Sequence, residues 1–406
     1  MKEINAARPL RLGLIGFGQR GMGLLDQVLL PMTQQDIAIT AVCDTYADRA
    51  QDAARKVEEF THQAPLCTQD YHDVVRSSQV DAVAILSAWE SHIPIAVDAM
   101  RAGKYVGMEV GGAYSIDQCW QLVRTSEETG VPCMLLENCC YGRREMMVLH
   151  MVRQGVLGEI VHCSGGYRHD LRQEVAYGQE IRHYRLRNYL ARNCENYPTH
   201  ELGPIAQILN INRGNRLLTL TSTASCAKGL HTYIAREKEG SPLLNQNFAQ
   251  GDVVTTVLRC AQGQTITLTL DTTLPRFYSR GFHVQGTKGM YTEDTDSLFL
   301  DQVHNRYDFN WKEQWGNACQ YEEQYEHPLW REYKQNPRGG HDGMDWLVWR
   351  DFIKSAAQGV QPPIDVYDAA TWMSISVLSE QSILSGSAPV AIPDFTDGRW
   401  IERRPL

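Results

Sequence analysis

The chain has no C-x-x-C pair, no run of 18 apolar residues and no excess of basic charge over its 406 residues. Its eleven cysteines, at 43, 67, 119, 133, 139, 140, 163, 194, 226, 260 and 319, are odd in number and scattered. That spacing excludes paired zinc ligands and a disulfide framework, and reads as mostly buried thiols in a reducing compartment. No metal is expected. The adjacent pair Cys139 and Cys140 suits neither a zinc site nor an easy disulfide, and is expected where a strand end packs against a helix. The lack of a long apolar run excludes a membrane-spanning helix. Met1 to Leu10 has no basic stretch followed by an apolar one, so the chain as given reads as cytoplasmic, a removed export leader aside. With 39 Lys and Arg against 48 Asp and Glu, the net charge of -9 lacks the positive clusters that displace counterions from a phosphate backbone. Nucleic acid is not an expected partner.

What is present, 43% hydrophobic and 21% charged residues, is the balance of a globular protein. At this length two domains are expected, 1–140 and 141–406, with the C-terminal helices able to pack back on the first. Residues 1–140 alternate apolar runs with helical patterns, the form of a doubly wound α/β sheet. Strands are expected at Leu10 to Gly16, Ile37 to Cys43, Val80 to Ser87, Tyr105 to Val110 and Val131 to Asn138. Helices are expected at Gly21 to Leu30, Ala47 to Phe60, His92 to Gly103 and Ser115 to Gly130. Ser115 with Gln118 is a capping-box start, and Gly130 a helix end. Beyond Tyr141 a helix from Gly142 to Gln154 precedes strand-like runs at Glu159 to Tyr167, Leu217 to Cys226, Asp252 to Cys260 and Thr265 to Thr272. The last two are joined by Ala261-Gln262-Gly263, a hairpin connection, which predicts an α+β domain with a large, mainly antiparallel open sheet. Late helices are expected at Gly343 to Gly359 and Asp365 to Gly386. The polar stretch from Tyr307 to Gly340 is expected as a surface excursion. An open sheet face in this half is a plausible surface for homo-oligomer formation.

Gly16-Phe17-Gly18-Gln19-Arg20-Gly21 is a G-x-G-x-x-G loop between an expected strand and helix. Gly16 permits the tight turn, Gly18 lets backbone approach a pyrophosphate, and Gly21 lets helix and strand pack closely. The helix start adds N–H groups and a positive dipole end. Asp44, ending the second strand, can accept both ribose hydroxyls and repel a 2′-phosphate, favouring NAD over NADP; its alternative is a helix cap. Later strand ends at Trp89 to His92, Glu109-Val110 and Asn138 point to the same crevice, or are ordinary cap and loop chemistry.

Tyr197-Pro198-Thr199-His200 stands ahead of an apolar helical run, Ile205 to Ile211. Pro198 favours an extended residue before it and helix initiation after it, so Tyr197 projects from a turn and His200 lies in the first helical turn. Both can face one cavity. A lone His at a helix start is more often a hydrogen-bonded structural residue. Imidazole is nonetheless the usual group for taking a proton off an alcohol during hydride transfer.

At these residues the sequence resembles the Gfo/Idh/MocA oxidoreductases, and more closely glycoside hydrolase family 109, the NAD-dependent alpha-N-acetylgalactosaminidases. The resemblance runs from Leu12 to about Trp400. It is carried by Glu137-Asn138 with Tyr141-Gly142-Arg143, the run Met147 to Gly158, the Tyr197 tetrad, Asn210-Ile211-Asn212-Arg213-Gly214, Gln285-Gly286-Thr287-Lys288-Gly289 and Pro393-Asp394-Phe395.

The resemblance implies a glycosidase that works without two flanking carboxylates. A tightly held NAD takes hydride from sugar C3, the C2 proton becomes acidic, the C1 group leaves by elimination, water adds and the hydride returns. It implies cofactor contacts from Arg20-Gly21, Asp44, Trp89 to His92, Glu109-Val110, Asn138 and Tyr197. It implies substrate contacts from Tyr167, Arg185, Tyr197, Pro198, Thr199, His200 and Tyr278, with Tyr197 or His200 as the base for the C3 hydroxyl. By themselves Tyr167 and Tyr278 read as aromatics on a sheet face and Arg185 as a surface charge. The wider oxidoreductase group usually has Glu-Lys-Pro where this chain has Glu109-Val110-Gly111, and the missing lysine agrees with the glycosidase branch. Ser91, Gly111-Gly112, Glu201 and Asp342 also depart from the family pattern close to the expected site, and bear on which hexoside and anomer is accepted. The alternatives are a sugar dehydrogenase with net NAD turnover and a non-catalytic sugar sensor.

Overall fold

The computed structural model describes residues 8–405. The chain divides into two compact units, one running to Tyr141 and taking in Tyr333–Ala370, the other Gly142–Glu332 with Thr371–Leu406.

The first unit is built on six parallel strands, β1 (Leu10–Ile15), β2 (Ile37–Cys43), β3 (Leu66–Thr68), β4 (Ala82–Ile85), β5 (Tyr105–Met108) and β6 (Cys133–Leu135), in the order β3-β2-β1-β4-β5-β6. That is the doubly wound nucleotide-binding order, whose switch point lies between β1 and β4. Buried runs such as Ala82–Ile85, covered on both faces, are what parallel strands require. The first helical stretch runs from Gln19 to Met32 through a π-helical turn at Leu25–Leu29. Ser115 Oγ accepts from Gln118 N–H as expected, while the Gln118 side chain accepts from Tyr114 N–H, one residue earlier than a capping box requires. Gly130, at φ 66°, caps the other end. The final strand ends at Leu135, and Asn138–Tyr141 is a buried 3-10 turn holding Cys139 and Cys140, instead of the expected strand end. Eight of the eleven cysteines are buried, Cys67, Cys226 and Cys319 are exposed, and none is bridged.

The second unit carries an eight-stranded sheet: β7 (Ile160–Arg168), β8 (Leu217–Ala224), β9 (Val253–Cys260), β10 (Thr265–Asp271), β11 (His283–Gly286), β12 (Gly289–Thr292), β13 (Ser297–Leu300) and β14 (Val390–Ala391). Their order is β13-β12-β11-β7-β10-β9-β8-β14. All neighbours are antiparallel except β7 and β10. The β9–β10 hairpin forms at Ala261-Gln262-Gly263, with Gly263 at φ 93°. Alternation along β9 buries Val254, Thr256, Leu258 and Cys260 on one face and leaves Thr255 and Val257 open on the other.

The polar stretch after Tyr307 is more ordered than its composition suggests. It holds short helical turns at Trp311–Gln314, Asn317–Tyr321, Glu322–Tyr325 and Pro328–Tyr333. Ala318, Asn317, Glu326 and Trp330 in it are buried. Arg143 pairs with Glu322 and Glu326 and Arg144 with Glu322, so the acidic residues serve as inward anchors. Among the described residues no helix is long and apolar enough to cross a membrane.

Candidate functional site

The glycine loop meets three different demands. Gly16, at φ 104°, turns the chain where any Cβ would lie 2.5 Å from Ser87 N. A Cβ on Gly21 would overlap the Gly16 carbonyl, which is the close helix–strand packing expected of the third glycine. At Gly18 the nearest atom to such a Cβ would be Arg49 Nη1, 3.9 Å away. The space above Gly18 is open, as a pyrophosphate needs. The helix begins at the next residue, presenting its N–H groups.

Asp44 is buried and its carboxylate accepts from Phe17 N–H (2.6 Å) and Tyr46 N–H (2.9 Å). It therefore ties the glycine loop to the end of β2, and each oxygen keeps a lone pair for a ribose hydroxyl. The following helix starts at Ala47 with Tyr46 in the cap position, so Asp44 is not its cap.

Trp89 to His92 form the first turn of a helix, Trp89–Arg101, which starts three residues earlier than the pattern predicts. Ser91 Oγ bonds both the Ala88 carbonyl and Ser87 Oγ, tying the first turn of the helix to the end of the strand before it. The Trp89 ring lies so close to Gly111 that a Cβ there would come within 2.5 Å of it. His92 is buried, and burial lowers its imidazole pKa to about 4, so the ring is neutral. Its Nε2–H donates to the Ser87 carbonyl (2.9 Å), which leaves Nδ1 as a buried acceptor with no close hydrogen-bond partner among the described residues.

Beside it stands a charged network absent from the sequence reading. Asp345 accepts from both Arg20 guanidinium nitrogens (2.8 Å each) and from Asn138 Nδ2 (2.8 Å), and lies 2.8 Å from His341 Nδ1. Despite burial, those partners hold its carboxyl well below the usual range. Glu109, 3.1 Å from Arg20 and bonded to the Val110 N–H, is raised instead, chiefly by burial. His341, Asp342 and Gly343 all take positive φ, at 51°, 53° and 95°. This turn is strained at its two non-glycine residues and aims His341 back onto Asp345.

The second unit gathers the expected sugar contacts. The helix Thr199–Ile208 starts immediately after Pro198, with Tyr197 in the irregular segment before it instead of a turn, and His200 in its first turn; Pro204 sits inside. The Tyr197 and His200 rings stand edge to face at 4.7 Å and 85°. Tyr167, at the end of β7, tilts over Tyr197 at 4.4 Å and meets His200 edge-on at 5.4 Å. The Arg185 guanidinium lies 5.3 Å from the Tyr197 ring and 5.9 Å from that of Tyr167, and is anchored by Glu174 at 2.8 Å. Arg185 is buried, so it is not a surface charge. Tyr278 is half exposed and reaches the group through His169, ring to ring at 5.2 Å. His169 Nδ1 in turn lies 2.9 Å from the Tyr167 hydroxyl, and burial, with Arg185 next, lowers the His169 pKa. Thr199 is fully buried.

The structure thus assembles Gly16, Gly18, Arg20, Gly21, Asp44, Trp89, His92, Glu109, Val110 and Asn138 within the first unit. Tyr167, Arg185, Tyr197 to His200 and Tyr278 lie within the second. Asp345, His341, His169 and Glu174 were missed. His169 and Glu174 follow Tyr167 by two and seven residues and could have been sought there; Asp345, 325 residues from Arg20, gives no such signal.

Residues 10–136 match the oxidoreductase family with an NAD-binding Rossmann fold, and residues 141–402 match the glycosyl hydrolase 109 C-terminal domain. The chain is 38% identical to an alpha-N-acetylgalactosaminidase of Tannerella forsythia, over 98% of this chain and 88% of that protein. It is equally 38% identical to a glycosyl hydrolase family 109 protein of Parabacteroides distasonis, over 98% and 89%. In fold it is similar to an inositol dehydrogenase homologue of Azotobacter vinelandii complexed with NAD+, with a TM-score of 0.68 at 16% identity over 96% of this chain and all of the other. The chain belongs to glycosyl hydrolase family 109, and is a glycosidase carrying an NAD-binding Rossmann domain.

Proposed function

We propose that this enzyme is an NAD-dependent retaining glycosidase acting on hexosides such as alpha-N-acetylgalactosaminides, by oxidation at C3, elimination across C1 and C2, water addition and re-reduction. The observation that carries the reading is the packed group of Tyr167, Tyr197 and His200, three side chains able to bond sugar hydroxyls, with no pair of carboxylates among them. The cofactor would be held by the Gly18 cradle, Asp44 and the Arg20–Asp345–Asn138 network, with the open Nδ1 of His92 as a further acceptor. Bound NAD supplies a hydride acceptor at C3 that becomes the donor when the sugar is reduced again.

The protein's part is to move protons. Tyr197 or His200 takes the C3 hydroxyl proton and gives it back at the end. The C3 ketone makes the neighbouring C2 hydrogen acidic, and the Tyr167 phenol, bonded to His169, is the second group placed to carry a proton. Arg185 is buried against both tyrosine rings and puts a fixed positive charge beside the group. No oxocarbenium-like cation has to be stabilised, so the usual carboxylate geometry is not needed. Self-association would use the open face of the second sheet, where Val257 is exposed; sedimentation would show a monomer if that is wrong.

Purified protein should carry NAD and release p-nitrophenol from an aryl hexosaminide with no net NADH. NADH formed in proportion to sugar consumed would identify a sugar dehydrogenase instead.

A further inference from the structure

Next to His200 in the chain is Glu201, a carboxylate with no solvent exposure. Its Oε1 lies 3.3 Å from Nε of Arg280, whose guanidinium also pairs with Glu145 and lies 3.7 Å from Glu293. Arg280 retains only 12% side-chain exposure. One guanidinium therefore stands among three carboxylates in a buried place, and burial raises the Glu145 carboxyl pKa. For stability alone such a cluster is a poor choice, because well-packed apolar residues would do as well or better. What it can supply is a fixed geometry.

The cluster's members sit beside the sugar contacts in the chain. Glu201 follows His200. Arg280 is two residues beyond Tyr278, in the connection between β10 and β11. Gly165, two residues before Tyr167 on β7, is where Glu201 lies down: a Cβ there would come within 2.6 Å of Glu201 Cβ and 2.8 Å of its Cγ. The connection is itself clamped to β7. Ser279 N–H donates to the Arg168 carbonyl (3.0 Å) and Ser279 Oγ bonds Asp294. Gly281, at φ 58°, passes so close that any side chain would collide with the Arg168 guanidinium.

We propose that the Glu201–Arg280 ion pair is a positioning pair for the sugar site, holding the His200 helix and the Tyr278 connection at one spacing. This rests on the glycosidase reading above. His200 belongs to the chemical step and Tyr278 to the sugar's rim, so loosening the pair lowers kcat and raises KM together. Damage confined to the helix would move kcat alone, and damage confined to the connection KM alone.

The test uses the full chain as Glu201→Gln, Arg280→Lys, the double variant and Gly165→Ala. Each is measured for kcat and KM on an aryl hexosaminide, for bound NAD, and for hydrogen exchange in peptides covering 199–208 and 276–282. The pair predicts that each single change lowers kcat/KM by roughly tenfold, as a sub-ångström misplacement of reacting groups does. It predicts unchanged NAD content, a double variant no worse than the worse single, and faster exchange in both segments together. Wild-type kinetics in both single variants, additive losses in the double, or faster exchange in one segment only would overturn it. If Glu201→Gln fails to fold, Arg280→Lys and Gly165→Ala decide the question. A wild-type protein without glycosidase activity would remove the proposed function, while the exchange measurement would still decide whether the pair couples the two segments.

Discussion

The imidazole of His200 stands at 85° to the phenol ring of Tyr197, with 4.7 Å between their centroids. Two groups able to take one proton thus share one patch, and substitution separates them. Tyr197→Phe and His200→Asn should each leave the fold intact, and the one that removes the C3 base should lower kcat by about a hundredfold to ten-thousandfold. Its pH–rate profile should also lose the acid limb. Steady-state rates across pH for both variants check this, and full activity in both would exclude the pair from the chemistry.

Gly18 separates cofactor binding from folding. A Cβ at that position meets nothing closer than 3.9 Å, so Gly18→Val should melt as the cofactor-free wild type does. The side chain would occupy the space a pyrophosphate needs, and the purified variant should contain little NAD. Nucleotide released on denaturation, measured by absorbance, checks the outcome; stoichiometric NAD in Gly18→Val would place the cofactor elsewhere.

Asp345 joins three groups, Arg20, Asn138 and His341, so removing it leaves Arg20 and Asn138 without a shared acceptor. Asp345→Ala should cost about 1.5–3 kcal/mol, the usual loss for hydrogen bonds to a charged group, because Arg20 stays partly solvated and keeps Glu109. Its folded pKa lies below the unfolded value, so its contribution is present above about pH 4 and is lost as pH falls through the folded value. Urea melts from pH 7 down to pH 2 should show the gap between the wild type and Asp345→Ala constant above about pH 4 and narrowing below it. A gap that does not narrow below that pH would contradict this.

Glu195 shows the opposite sign. It is fully buried, neither carboxyl oxygen has a close hydrogen-bond partner among the described residues, and burial, only partly offset by the Leu270 backbone, pushes its pKa up to about 8. Between the unfolded value and that figure the native state holds a proton that the unfolded chain releases, so stability falls as pH rises across this window. Glu195→Gln keeps the shape without the proton. It should stabilise the protein at pH 8 by on the order of 4 kcal/mol and hardly at all at pH 4, as followed by denaturant melts. A stabilisation that does not vary with pH would show that the carboxyl is not held neutral.

Much of the fold was legible because local pattern and tertiary role agree. The glycine loop, the run Val253 to Cys260 alternating with period two, and the turn at Gly263 each need only neighbouring residues to be read. The helix start in the Tyr197 tetrad was legible for the same reason, since Pro198 sets where the helix begins. The parallel pairing of β7 with β10 was not, because it joins segments about a hundred residues apart that look like any antiparallel strands. Arg185 looked like a surface charge because nothing nearby announces that two tyrosine rings and Glu174 cover it. The stretch after Tyr307 looked solvated because its glutamates find their arginine partners on a helix more than 150 residues earlier. Asp345 was hidden in the same way: a carboxylate that organises a site through contacts distant in sequence leaves no spacing to recognise.

The central claim, that the glycosidic bond breaks by elimination after transient oxidation at C3, is tested most directly by turnover in deuterated water. Elimination requires the C2 hydrogen to leave, so nuclear magnetic resonance of the released sugar should show deuterium at C2, with no NADH accumulating. Released sugar that keeps its original hydrogen at C2 would contradict the account.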